Sequence, residues 1–68
     1  MEEIKKVILK EFWEQNWNVS RLSQFANTYR QTTDNFLFNG GDMKLGAVCR
    51  ICKEMGLELV IRKREEEN

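Results

Sequence analysis

The sequence of 68 residues contains no histidine, no proline and only two cysteines. Without histidine, the commonest acid or base near neutral pH is missing, which argues against an enzyme. Two cysteines do not provide the disulfide framework of a small secreted domain. No apolar run exceeds three residues, whereas a membrane-spanning helix needs roughly 18 or more. The first residues, MEEIKK, lack the order of a signal peptide, so we expect a cytoplasmic protein without a membrane segment.

The chain also has no net charge, since 11 basic residues balance 11 acidic ones. Zero net charge is unfavourable for binding nucleic acid. The distribution is uneven, however, because residues 18–53 contain five basic and two acidic side chains, a net +3. A basic central segment is a weak electrostatic indication of a nucleic-acid partner.

Apolar periodicity predicts four helices followed by one strand. We expect the helices at residues 2–15, 19–26, 29–38 and 43–55 and the strand at 57–61. The apolar faces of the second and fourth helices are predicted to comprise Val19, Leu22, Phe25 and Ala26, and Leu45, Val48, Ile51, Cys52 and Met55. A chain of this length forms one domain, predicted over residues 1–61, with a charged flexible tail at 62–68.

The junctions between these helices contain residues typical of helix ends. Asn18, Thr28 and Asp42 are each expected to cap the helix that follows, and Thr28 with Gln31 has the spacing of a capping box. Asn27 suits the left-handed conformation that ends a helix, and Gly56 stands where a terminating glycine is common. Trp17 and Leu22 occupy the two positions of a hydrophobic staple.

The predicted strand, LELVI, has no evident partner elsewhere in the chain. An unpaired strand exposes backbone N–H and C=O groups, and pairing across a twofold axis would satisfy them. We therefore predict a homodimer that is formed through Leu57, Leu59, Val60 and Ile61.

With this order of elements, residues 18–61 resemble the lambda-repressor-like helix-turn-helix family. The resemblance is carried by LSQFANTYRQTTDNFLFNGG and the following LGAVCRICKEMGLELVI, although Thr33 stands where the family usually has an apolar residue. The segment NGGDMKLGAVCRICKEMGLELVI is also similar to the C-terminal half of addiction-module antidote proteins. The resemblance implies a mostly α, four-helix domain that binds double-stranded DNA and regulates transcription as a bacterial or phage repressor or autoregulator.

In that family the third helix inserts its N-terminal residues into the major groove. Arginine suits guanine, glutamine suits adenine, and threonine can contact a thymine methyl group. The predicted base-contacting residues are Arg30, Gln31, Thr32, Thr33 and Asn35. The predicted phosphate-contacting residues are Asn18, Arg21, Tyr29, Asn39 and Lys44. Asp34 is expected either to face solvent or to accept from a cytosine amino group, and Phe36 with Leu37 or Phe38 to anchor the helix.

Two other features have alternative interpretations. Cys49 and Cys52 form a C-x-x-C motif. A zinc site needs four ligands, and the sequence has no other cysteine and no histidine. We therefore expect core packing rather than a redox or intersubunit metal site. We predict no metal and no cofactor. Phe12, Trp13 and Trp17 are expected in core and staple roles, with an exposed patch for a protein partner as the alternative.

The second functional hypothesis is a protein-interaction module on the same fold, such as an antirepressor, a co-regulator or a toxin-binding antidote. Zero net charge favours it. A small enzyme is the third, and it has no nucleophile–base pair or ligand cluster to support it.

Overall fold

The computed structural model describes residues 2–60 and contains four helices. They are α1 (Glu2–Glu14), α2 (Val19–Ala26), α3 (Arg30–Phe38) and α4 (Leu45–Glu54). The predicted mostly α architecture and helix order are confirmed, and each helix end lies within two residues of its predicted position. None of these helices is both long and apolar enough to cross a membrane.

Three of the helix ends share one hydrogen-bonding pattern. A residue with positive φ follows α1, α2 and α4, namely Asn16 (59°), Asn27 (55°) and Gly56 (76°). Around Asn27, the backbone N–H of Asn27 donates to Gln24 O and that of Thr28 donates to Ser23 O. This is the Schellman motif, and it satisfies carbonyl groups that the helix itself leaves unpaired. The predicted terminating roles of Asn27 and Gly56 are confirmed.

The N-terminal caps agree with the prediction at one junction only. Asn18 has an extended backbone, and its Oδ1 accepts from the backbone N–H of Arg21 at 2.8 Å. The predicted caps Thr28 and Asp42 are wrong, because the capping positions of α3 and α4 are Tyr29 and Lys44 and neither makes a side-chain cap bond. The helices begin later than expected, which leaves both polar side chains too far from the first turn.

The core is built from all four helices. Its buried apolar residues are Ile8, Phe12, Leu22, Ala26, Phe36, Leu37, Met43, Ala47, Val48, Ile51, Cys52 and Met55. α2 packs against both α3 and α4, and α1 contacts α3. Met43 lies in the loop before α4 and is buried, so the core holds the chain there in a non-helical conformation.

Three predicted core residues instead have more than a third of their surface exposed to solvent. Phe25 is 38% exposed, Leu45 51% and Trp13 62%. In α4 the buried face comprises Ala47, Val48, Ile51 and Cys52, and the helical repeat places Leu45 on the flank of that face. The predictions for Phe25, Leu45 and Trp13 are therefore wrong, since apolar character alone did not identify the buried side.

The predicted strand is not present within the described residues, where 57–60 have no regular secondary structure. Its last residue, Ile61, and the predicted tail at 62–68 lie outside the described part of the chain. Leu57 and Leu59 are partly buried and pack against the core, whereas Val60 is 60% exposed. Side-chain burial therefore alternates along the segment as it would in a strand. Leu57 and Leu59 face the core, and the residues between and after them face solvent.

Candidate nucleic-acid interface

α2 and α3 are joined by only three residues, Asn27 to Tyr29. The left-handed Asn27 (φ 55°, ψ 49°) turns the chain sharply, and Tyr29 (φ −75°, ψ 146°) is extended before α3 begins. A short connection with this sharp turn brings the second helix back against the first. The arrangement is compatible with the helix-turn-helix fold that the resemblance implies.

A buried pair of hydroxyl groups lies between the two helices. Ser23 Oγ is 2.7 Å from both the Val19 carbonyl oxygen and Thr33 Oγ1. A hydroxyl group carries one proton, so Ser23 donates to the carbonyl and accepts from Thr33. Buried polar groups that are satisfied in this way stabilise one relative position of the helices.

This pair corrects one predicted base contact. Thr33 is fully buried and its hydroxyl is engaged by Ser23, so it does not reach the surface on which DNA would lie. Phe36 and Leu37 are buried on the same side of α3, which confirms their anchoring role. Thr33 thus belongs to the inner face, at the position where the lambda-repressor-like family usually has an apolar residue.

The opposite face of α3 presents polar side chains to solvent. With about 100° of rotation per residue, Gln31 and Asn35 lie almost opposite the buried residues. Arg30 and Asp34 lie together on one flank, and both are exposed. An exposed Asp34 agrees with the expectation that it faces solvent.

Asn35 has an additional structural role at the end of α3. Its side-chain Oδ1 accepts from Asn39 Nδ2 at 3.1 Å. Its backbone carbonyl accepts from the N–H groups of Asn39 and Gly41, each at 2.9 Å. These bonds restrain the Asn35 amide, yet its own N–H groups and one oxygen lone pair stay free for a base edge.

All five predicted phosphate-contacting residues have exposed side chains. Asn18 and Arg21 lie at the start of α2, Tyr29 precedes α3, Asn39 follows α3, and Lys44 precedes α4. Tyr29 is 83% exposed. Asn18 uses Oδ1 for its cap, which leaves its N–H groups to donate to a phosphate oxygen.

A cleft of about 720 Å³ separates the start of α3 from the start of α4. It brings together three predicted contact residues, Tyr29, Thr32 and Lys44, and it adds Arg50. Arg50 belongs to the basic segment, but no local pattern predicts a role for it. Its position near the start of α3 depends on the packing of α4 against α2. Asp42 also lines the cleft and reduces its positive charge.

The two cysteines occupy different environments. Cys52 is buried in the core, as predicted. Burial raises the pKa of its thiol, and the nearby Cys49 raises this pKa further. Cys49 is exposed, so the prediction that it packs in the core is wrong. Across residues 2–60, no three His, Cys, Asp or Glu side chains are grouped so that they could hold a metal ion.

Two groups of aromatic side chains lie on the surface beside these helices. Trp13 contacts Phe12 with ring centroids 5.1 Å apart and Phe38 at 5.9 Å. Trp17 is partly buried against the core and meets the Phe25 ring edge-on at 5.5 Å. Trp17 thus has the packing role expected of it, whereas Trp13 forms part of an exposed surface.

Comparisons of this chain with protein-family models, with curated proteins and with solved structures found no match. Of the five predicted base-contacting residues, Arg30 and Gln31 are exposed, Thr32 and Asn35 are partly exposed, and Thr33 is buried.

Proposed function

We propose that this protein is a sequence-specific DNA-binding regulator with a lambda-repressor-like helix-turn-helix fold. The observation that carries the proposal is the two-sided character of α3. Thr33, Phe36 and Leu37 are buried and pack one side of the helix against the rest of the domain. Gln31 and Asn35 lie on the opposite side. A helix whose hydrogen-bonding side chains face away from a rigid support is suited to the major groove.

In the proposed mechanism, one set of residues recognises bases and another positions the protein on the DNA duplex. Arg30, Gln31 and Asn35 would contact base edges, with Thr32 beside them, because these side chains match the donor and acceptor patterns of the major groove. Residues at the helix ends would contact phosphates and set the register of α3 on the duplex. The proposed residues are Asn18, Arg21, Tyr29, Asn39 and Lys44, and we include Arg50 because it lines the cleft beside Tyr29 and Lys44.

The zero net charge of the chain is compatible with this proposal because the charges are segregated. α1 lies outside the proposed interface and has a net charge of −1, since its four glutamates outnumber its three lysines by one. The segment from 18 to 53 has a net +3, and it keeps a net +2 when Lys53, in the last turn of α4, is left out. Over distances of about 8–10 Å at physiological salt, the local charge matters more than the total.

The experiment that tests the proposal is capture of fragmented genomic DNA from the source by the purified protein at moderate salt, followed by sequencing. We expect enrichment of a few sites that share an inverted repeat. A dimer would place two α3 helices in successive major grooves, about 34 Å apart. Retention of no DNA, or of all fragments equally, would contradict sequence-specific binding.

The homodimer is a further part of the proposal, and the burial pattern selects Val60 as the residue to test. Leu57 and Leu59 contact the core of their own chain, so substituting them would perturb folding as well as pairing. Val60 is 60% exposed on the outer side of the segment. An exposed β-branched residue suits a strand that pairs across two chains.

We expect Val60→Lys to convert the dimer to a monomer, because two lysines would approach each other across the twofold axis. Light scattering at several protein concentrations measures the mass. Leu45→Lys is the matched control, since Leu45 is also an exposed apolar residue, at 51%, but lies outside the segment. A Val60→Lys protein that stays dimeric, or a monomeric Leu45→Lys protein, would place the interface elsewhere.

The exposed aromatic surface favours a second candidate function, the protein-interaction module. Trp13 is 62% exposed and Phe38 43%, and together they form an apolar surface beside α3. Binding that depends on phosphates weakens steeply as salt rises, whereas binding through apolar surface changes little. A partner that is retained at high salt and lost in a Trp13→Ala variant would support this second function.

A further inference from the structure

The guanidinium group of Arg21 lies close to two aromatic rings. Its guanidinium carbon lies 5.5 Å from the centre of the Trp17 ring and 5.9 Å from that of Phe25. Both distances fall within the range of about 6 Å over which a cation is attracted to an aromatic ring. The two rings also contact each other at 86°, so they form one surface under the charged group.

The Trp17 ring is itself fixed by hydrogen bonds. Its Nε1–H donates to Gln15 Oε1 at 2.8 Å, and Gln15 Nε2 donates to the carbonyl oxygen of Met55 at 2.9 Å. The backbone N–H of Trp17 donates to Phe12 O at 2.9 Å. The ring is therefore attached both to the end of α1 and to the end of α4.

We propose that Trp17 and Phe25 are positioning residues that hold the Arg21 guanidinium in the orientation that binds a DNA phosphate, an inference that rests on the proposed DNA binding. A free arginine side chain loses much rotational freedom when it binds, and the rings restrict that freedom beforehand. A cation–π contact does not use the N–H groups as hydrogen-bond donors to a polar atom, so they remain available to donate. Those N–H groups match two phosphate oxygens.

The location of Arg21 agrees with this role. It lies in the first turn of α2, at the end of the helix where the macrodipole favours an anion, and it is exposed. A phosphate bound there would fix the start of α2, and the buried Ser23–Thr33 pair would transmit that position to α3.

The test measures binding of wild type and variants to a short DNA duplex of mixed sequence between about 50 and 200 mM salt. Arg21→Ala should reduce the slope of log affinity against log salt by about 0.9, because one phosphate contact is lost. Lys53→Ala is the charge-matched control on α4 and should leave the slope unchanged. Arg21→Lys should keep the slope and weaken binding, since lysine lacks the planar guanidinium that donates two N–H groups to a phosphate.

Phe25→Leu tests the rings themselves, and the 38% exposure of Phe25 makes leucine tolerable at this position. The variant should bind about two- to fivefold more weakly with an unchanged slope. In the Arg21→Ala background the same substitution should have no further effect. In NMR spectra, the side-chain protons of Arg21 should be shifted upfield by the rings in wild type and less so in Phe25→Leu.

The outcomes separate this inference from the proposed function. If the wild-type protein binds no DNA, both the inference and the proposed function are contradicted. Salt-dependent binding by wild type, with the same slope in Arg21→Ala, overturns the inference alone. A Phe25→Leu effect that persists in the Arg21→Ala background also overturns it, because the ring would then act through stability rather than through Arg21.

Discussion

Phe36→Ala is expected to lower the free energy of unfolding by about 3–5 kcal/mol. Phe36 is fully buried and is the largest side chain with no exposed surface. Its ring also lies 5.0 Å from the Lys5 ammonium group, which donates to the carbonyl oxygen of Gly41. Phe36 thus connects α1, α3 and the loop before α4, and alanine would leave a cavity at that junction.

The effect is large relative to the whole domain. At roughly 0.05–0.15 kcal/mol per residue, a chain of this size has only a few kcal/mol of stability. We therefore expect a substantial fraction of the Phe36→Ala protein to be unfolded at room temperature. Phe36→Leu retains most of the buried volume and should stay folded with a smaller loss.

Urea unfolding followed by circular dichroism measures these losses. Phe38→Ala is the matched control, since Phe38 lies on the same helix but is 43% exposed. It should cost less than half as much as Phe36→Ala. Equal losses for the two variants would contradict the assignment of the inner side of α3, and with it the orientation on which the DNA-binding proposal depends.

The helices could be predicted from the sequence because each carries a periodic apolar face and ends at a residue with a specific backbone role. Asn27 and Gly56 adopt the left-handed conformations expected of them. Thr28 and Asp42 have the right chemistry for caps but the wrong location, because α3 begins at Arg30 and α4 at Leu45, one and two residues later than expected. Local preference could not decide between these positions, since tertiary packing outweighs a cap of about 1 kcal/mol.

The candidate site was predictable only in part, and Thr33 shows why. A polar residue in the first half of α3 was expected to face outward, but a hydroxyl can be buried when a partner satisfies it. That partner, Ser23, is ten residues earlier and becomes a neighbour only after the chain turns at Asn27. The available signal was that the lambda-repressor-like family usually has an apolar residue at the position of Thr33.

The surface around α3 also depends on contacts that no local pattern contains. Arg50 lines the same cleft as Tyr29 and Lys44 because α3 and α4 both pack against α2. Arg21 and Phe25 are neighbours at i and i+4 on α2, whereas Trp17 reaches them only because the turn that ends α1 leads directly into α2. Charge and composition indicated a basic segment, but the folded arrangement decides which of its charges share a surface.

Gln31→Ala is expected to lower discrimination between the selected site and its single-base variants by about 1–3 kcal/mol, roughly five- to 150-fold in affinity. Gln31 is exposed and lies opposite Thr33 on α3. The loss should be confined to one base pair, because a glutamine amide can pair with one adenine edge. The salt dependence should not change, since no charge is removed. Stability should be equal or slightly higher, because alanine favours an exposed helix position.

The measurement is a competition assay in which each base pair of the captured site is replaced in turn. Thr33→Val is the matched control two residues further along α3. Valine removes the hydroxyl that donates to Ser23, so it should cost about 1 kcal/mol of stability and leave discrimination unchanged. If Thr33→Val instead altered the preference at one base pair and Gln31→Ala did not, α3 would be rotated relative to the described orientation. A loss spread evenly over all base pairs in Gln31→Ala would assign Gln31 to the backbone rather than to a base.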